Sequence, residues 1–269
     1  MTVGLVAFDL DGVLYRGRQV VPGALQGVRA VLRHGLLLRY VTNNATLHRA
    51  AVAERLQSMG FPATQEQVLG SAAATAAWLQ DHISPGSLVL ALGEAGLLRE
   101  LKEAGFEAGH VLENAGDRPA AAVVVGLDRS LTYGSLASAQ HHVFQGALFV
   151  ATNTDNTFPS EGRLLPGAGA VVAAVAAAVS KQPTVIGKPG LGKAEALRRT
   201  TGVGYEDTLF VGDRLDTDIA FGAKVGMKTA LVLTGVHSQR DISSYGVEPD
   251  FVLTDLRELA RLLDRLSGS

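Results

Sequence analysis

Apolar residues fall along this chain in two kinds of pattern. Short runs rich in leucine and β-branched residues read as buried strands, and the stretches between them carry helical spacing. A first series of strands is expected at Val3–Phe8, Leu36–Val41, Thr184–Ile186, Thr208–Val211, Thr229–Leu233 and Phe251–Leu253. A helix opens at Pro22 and closes at Gly35, and the next runs from Thr46 to Met59 with Gly60 as its stop. Thr64-Gln-Glu-Gln67 has the form of a capping box and predicts a helix running toward Trp78. Strands alternating with helices nearly throughout predict an α/β fold with a doubly wound, mainly parallel sheet.

A second alternating series begins after Ile83-Ser-Pro-Gly86. Its strands are expected at Leu88–Leu92, Ala121–Val125 and Leu148–Thr152, and its helices at Ala95–Ala104 and Ser135–Phe144. An alanine-rich helix from Gly167 follows, and Lys181-Gln-Pro183 marks a second boundary. The predicted organisation is a core of residues 1–82 and 183–269, interrupted by a smaller α/β module at 83–182. Ser84–Gly86 and Lys181–Pro183 are its expected hinges.

Composition narrows the class. Of 269 residues, 47% are hydrophobic and 19% charged, enough to build a substantial core. A net charge of −2 offers no basic footprint for nucleic acid. The absence of cysteine excludes disulfides, thiolate metal sites and thiol nucleophiles. The alanine-rich stretch to Val179 is too short to span a membrane, and no basic leader precedes the first strand. A soluble cytoplasmic protein is expected.

Four polar clusters each follow an apolar strand. Asp9-Leu-Asp11-Gly12 offers one carboxylate as nucleophile or hard-metal ligand and another to move protons, although Asp and Gly also make ordinary turns. Thr42-Asn43-Asn44 precedes the helix expected near Thr46, as an anion cradle or as a plain N-cap. Gly187-Lys188-Pro189 places a lysine where it could neutralise a phosphate, or simply be solvated. Gly212-Asp213 through Asp216-Thr-Asp218 supplies three acids, suited to Mg²⁺ or to a helix N-terminus. A doubly wound sheet would bring all four clusters to one edge. Together they hold the inventory for metal-assisted phosphoryl transfer. Gly187 to Lys193 also mimics the glycine spacing of a P-loop nucleotide triphosphatase or kinase. Ala194 stands where that loop needs Ser or Thr, and Pro189 removes a donor.

In order and spacing, these motifs resemble the haloacid dehalogenase (HAD) superfamily, in its NagD-like and para-nitrophenyl phosphatase-like branch. The resemblance spans essentially the whole chain and implies a Rossmann-like core with an inserted α/β cap. It implies a Mg²⁺-dependent phosphatase of small phosphorylated metabolites, with Asp9 as nucleophile and Asp11 as general acid and base. Thr42, Asn43, Asn44 and Lys188 would bind or balance the phosphoryl group. Asp9, the Asp11 backbone carbonyl and Asp213 would hold Mg²⁺, with Asp218 acting through water. Ala151 to Asp155, Pro159-Ser-Glu161 and Leu165 to Gly169 resemble the branch's substrate loop, which makes Asn153 and Asp155 candidate substrate contacts. The same resemblance implies a homodimer through the cap, which the composition does not support. A phosphomutase would share the chemistry, but mutases of this superfamily carry the cap between the first two motifs. His141-His142 is expected on a surface or interface, and Trp78 as a hydrophobic plug near the hinge. Asp216 is expected to be a helix-start acid.

Overall fold

The computed structural model describes residues 3–113, 118–160 and 163–267. In chain order its strands begin with β1 (Leu5–Phe8), the short ribbon β2 (Tyr15–Arg16) and β3 (Gln19–Val20), β4 (Leu37–Thr42) and β5 (Val68–Gly70). Next come β6 (Leu88–Leu92), β7 (Glu107–His110), β8 (Ala122–Val125), β9 (Leu148–Ala151) and the hairpin β10 (Thr157–Ser160) and β11 (Arg163–Pro166). The last are β12 (Thr184–Val185), β13 (Thr208–Gly212), β14 (Lys228–Val232) and β15 (Phe251–Leu253). The helices that matter below are α1 (Ala24–Arg33), α2 (Arg49–Ser58), α3 (Ser71–Gln80), α4 (Ala95–Glu103), α5 (Tyr133–Phe144), α6 (Ala168–Val179) and α7 (Leu191–Thr201).

The chain divides into two compact units. The first comprises Met1–Thr42, Ala50–Leu69 and Ala194–Ser269; the second comprises Asn43–Arg49 and Gly70–Lys193. The first is built on a six-stranded sheet in the order β15-β14-β13-β1-β4-β5. β1 pairs in parallel with both β13 and β4, and Phe8 is level with Val211 on one side and Tyr40 on the other. β1 and β13 are buried along their whole length, as expected of central strands covered on both faces. The chain runs outward from β1 through β4 and β5, then returns beside β1 at β13. Order therefore reverses around β1, and open α/β sheets take ligands beyond the carboxyl ends of strands at such a reversal. Val6, Phe8, Leu38, Tyr40, Leu209 and Val211 knit the core beneath that edge.

The second unit has its own five-stranded parallel sheet, β12-β9-β8-β6-β7, and its own core of residues such as Leu90, Val123, Phe149 and Val175. An α/β fold with two parallel sheets flanked by helices is therefore as expected. Three details differ from the sequence reading. Thr184–Val185 is not a strand of the first sheet, because it pairs with Val150 and Ala151 of β9. Thr64 and Gln67 do form a reciprocal capping box, but it closes a single turn (Gln65–Gln67) and strand β5 intervenes before α3. The units part at 42/43, 49/50, 69/70 and 193/194, and the expected limits 82/83 and 182/183 both fall inside the second unit.

Candidate active site

In the first unit, three neighbouring strands end in the predicted polar residues. Asp9 follows β1, Thr42 closes β4, and Asp213 follows β13. The Asp9 N–H donates to Val211 O at 2.9 Å, which extends the β1–β13 ladder to the acid itself. Oxygens of Asp9, Asp213 and Asp218 all lie within 4.8 Å of one another. Asp213 and Asp218 are buried, and so is Thr42 at the end of β4.

Backbone groups hold the acids in place. Asp213 Oδ2 accepts the Val236 N–H at 2.7 Å, and the Asp213 carbonyl accepts the His237 N–H at 3.1 Å. Asp218 Oδ2 accepts the N–H groups of Asp213 (3.2 Å) and Arg214 (3.1 Å), closing a π-helical turn over Leu215–Ile219. His237 Nδ1 accepts from the Leu215 N–H at 2.8 Å, so its Nε2 carries the proton toward the Tyr245 hydroxyl, 3.0 Å away. Gly12 has φ 82°, and a side chain at Gly12 or Gly235 would run into the Asp213 carboxylate. Asp216 stands outside the cluster, clasped by Arg214 at 3.0 and 2.7 Å.

Asp11 is exposed, on the turn that leads from β1 into β2. Its charge adds to burial in pushing the Tyr15 phenol well above its ordinary range, while the Arg55 guanidinium, 4.5 Å over that ring, opposes the shift. Solvent access suits a carboxyl that gains and loses protons.

The second unit holds a different cluster. Lys188 and Lys193 are both buried, against the ordinary expectation for lysine. The Asn43 side chain stands at the centre. Its Nδ2 donates to both Asp155 oxygens (3.1 and 3.2 Å) and to the Lys188 carbonyl (2.9 Å). Its Oδ1 accepts from the Lys188 N–H (2.9 Å) and from Lys193 Nζ (3.0 Å). Asn153 Nδ2 donates to the Asn43 carbonyl at 2.8 Å, and Asn153 Oδ1 accepts the Asp155 N–H at 3.1 Å. The expected substrate-loop residues Asn153 and Asp155 thus both bond Asn43, which in turn bonds the Lys188 backbone. Glu161, of the same pattern, lies outside the described residues.

A family model described as haloacid dehalogenase-like hydrolase matches residues 6–107, and one described as HAD-hydrolase-like matches 185–259. An acid sugar phosphatase of Staphylococcus aureus is 38% identical over 96% of each chain. The chain belongs to the HAD superfamily. A p-nitrophenyl phosphatase structure from Archaeoglobus fulgidus superposes with a TM-score of 0.90 at 30% identity, covering 98% of this chain and 100% of that one. A glycerol phosphate phosphatase from Mycobacterium tuberculosis, in complex with magnesium, gives 0.87 at 36% identity over 97% and 78%. Within the superfamily the chain is a phosphoric monoester hydrolase.

Several readings need correction for this HAD chain. The four clusters do not all end strands of one sheet: Lys188 follows β12, in the second unit's sheet. The helix after Asn44 starts at Arg49, not near Thr46. Asn44 Oδ1 takes the Thr46 N–H and hydroxyl, both at 2.8 Å, so Asn44 acts as a turn-maker, and Glu100 takes the Arg49 N–H at 3.0 Å. No P-loop exists at Gly187–Lys193. A phosphate cradle needs inward N–H groups, but those of Gly187, Lys188, Gly190 and Lys193 go to Thr152 O, Asn43 Oδ1, Gly187 O and Ile186 O. Trp78 is a half-buried ring stacked on His82 at 3.6 Å rather than a plug, and His142 is buried while His141 is exposed.

The sequence reading also missed partners. Ser71 shares Lys193 with Asn43, and buried Glu100 of α4 clasps the Arg49 guanidinium with both oxygens. His48 stands between Glu100 (3.5 Å) and Glu103 (2.9 Å). Nothing in the local sequence marks these pairs, although a glutamate on an otherwise apolar helix face is a signal worth pursuing. Among the described residues, no helix is long and apolar enough to cross a membrane.

Proposed function

We propose that this chain hydrolyses small phosphomonoesters through a phosphoryl-enzyme intermediate on Asp9, with Asp11 as general acid and then general base. The observation that carries the reading is the convergence of Asp9, Asp213 and Asp218 at adjacent strand ends. Three hard oxygen donors at that spacing fit Mg²⁺, and the M. tuberculosis relative contains it. Asp9, the Asp11 carbonyl and Asp213 would hold the ion, with Asp218 acting through water because its Oδ2 already serves two N–H groups. When bound, Mg²⁺ would offset the charge of phosphate and of the attacking carboxylate.

The chain's own residues divide the remaining work. An Asp9 oxygen bonds to phosphorus as the bond to the leaving alkoxide breaks, and Asp11 gives that alkoxide its proton. Asp11, now a carboxylate, then takes a proton from a water whose oxygen bonds to phosphorus. The Asp9–phosphorus bond breaks, releasing phosphate and restoring the Asp9 carboxylate. The exposure of Asp11 lets it exchange protons with solvent between turnovers. Thr42 is assigned a hydrogen bond to a phosphoryl oxygen and Lys188 the balancing of phosphoryl charge. The printed names of relatives support sugar phosphates, glycerol phosphate and aryl phosphates as the substrate class.

Asp9→Asn should lower kcat on p-nitrophenyl phosphate by about 10⁴-fold with the fold intact, by analogy with removal of other nucleophiles. Borohydride reduction of acid-quenched enzyme should convert position 9 to homoserine, the product of a reduced acyl phosphate. Full turnover by Asp9→Asn would refute the intermediate, and full turnover in excess EDTA would refute the metal.

A further inference from the structure

Lys193 belongs to none of the groups that the proposed reaction uses, yet its side chain is among the largest fully buried ones. Its Nζ donates to Asn43 Oδ1 at 3.0 Å and to Ser71 Oγ at 2.7 Å. An ammonium only donates, whereas a primary amide has an accepting end and a donating end of nearly equal shape. Lys193, with the Lys188 N–H on the same oxygen, therefore favours one end of the Asn43 amide, and of the two it supplies the charge. With oxygen toward Lys193, the Asn43 nitrogen must face Asp155 and the Lys188 carbonyl, as observed. The flipped amide would set an NH₂ group against the ammonium and a carbonyl against the Asp155 carboxylate. Two charge-assisted hydrogen bonds would become two repulsions.

The consequences extend beyond one side chain. Asn43 holds the Lys188 backbone by both its N–H and its carbonyl, which fixes where that residue's chain runs. A ring of hydrogen bonds from Asn43 to Asp155, from Asp155 N–H to Asn153, and from Asn153 back to the Asn43 carbonyl fixes the Asp155 carboxylate as well. All of these groups lie in the second unit.

We propose that Lys193 is a positioning residue for the phosphatase reaction: its buried ammonium sets the orientation of the Asn43 amide, and through it the Lys188 backbone and the Asp155 carboxylate. The proposal rests on the assignment of Lys188 to the phosphoryl group and adds the group that aims it. A lysine buried only for stability has a different signature. Removing one member of a buried polar cluster lowers stability, so a purely structural role predicts a lower melting temperature but unchanged kcat/KM in a variant that still folds.

The test is a kinetic cycle with p-nitrophenyl phosphate on the full chain, using Lys193→Met, Asn43→Ala and the double variant, with melting curves for each. Lys193→Met should stay folded and lose about 10–100-fold in kcat/KM, the scale of a misplacement near 1 Å. The double variant should match Asn43→Ala within about twofold, because Lys193 acts through Asn43. Lys193→Gln keeps a donor for Asn43 Oδ1 without the charge and should recover activity over Lys193→Met. Unchanged kcat/KM in folded Lys193→Met, or losses that multiply in the double variant, would overturn the proposal. If Lys193→Met does not fold, Lys193→Leu takes its place in the cycle, and if that also fails, Lys193→Gln standing no higher than Asn43→Ala in kcat/KM while folded would overturn the proposal. Asp9→Asn assayed in parallel separates the two readings, since failure of the parent mechanism appears as turnover by that variant whatever occupies position 193.

Discussion

The two polar clusters are built on opposite electrostatic plans. In the first unit, Asp9, Asp213 and Asp218 bring charge of one sign together, and the groups that steer the two buried acids are backbone N–H donors. In the second, the Lys193 ammonium, the Lys188 backbone, a carboxylate and two primary amides are cross-bonded around Asn43. Like charges this close repel each other, so in the proposed function a cation would settle the first plan. The second needs no visitor to settle it, and its value lies in rigidity. On the proposals above, one fold makes a centre that binds and a centre that aims, from similar residue types.

That contrast can be broken at the acids first. Asp213→Asn keeps the shape and the Val236 contact but removes one charge, and should weaken Mg²⁺ binding by about 10–100-fold, measured by titration calorimetry. Unchanged affinity would show that charge concentration is not what recruits the ion. Glu100→Ala attacks the second unit instead. It strips a buried carboxylate from Arg49 and His48 and should cost about 3 kcal/mol by urea unfolding, while leaving Mg²⁺ affinity within about twofold.

The smallest effect is a pH dependence at Asp128 in the second unit. Burial pushes its carboxyl up, but the Ser130 hydroxyl and N–H and the His110 imidazole outweigh it and hold it below the usual carboxylate range. A depressed folded-state value means that the stabilisation is present above the ordinary value of 3.8 and is lost as pH falls through the lower one. Wild type should therefore exceed Asp128→Asn by about 1 kcal/mol at neutral pH, with the gap closing in acid. A gap that widens on acidification would reverse the assignment.

The first sheet is legible in the sequence because β1 and β13 are unbroken apolar runs, each ending in acids, and sheet order alone then gathers those acids. Thr184–Val185 is less legible. An apolar run says that a strand is buried but not which sheet buries it, and two residues carry too little pattern to choose. Strand β5 is hidden by the capping box just before it, where a local signal for helix is genuine but lasts one turn. Lys193 lies deepest below the sequence surface. Its glycine spacing points to a phosphate loop, whereas Asn43 and Ser71, to which it donates, are 150 and 122 residues away. Backbone ladders repeat and so can be read locally; a single side-chain contact across the chain cannot.

The way the Asp213 and Asp218 carboxylates are anchored has an evolutionary consequence. Their steering donors are the N–H groups of Asp213, Arg214 and Val236, which every residue but proline supplies. Side chains at 214 and 236 can therefore drift without moving the acids, whereas inserting or deleting one residue between 234 and 238 would shift the Val236 donor out of register. Lineages of this enzyme should vary in letter at 214 and 236 and hold constant in length from 234 to 238.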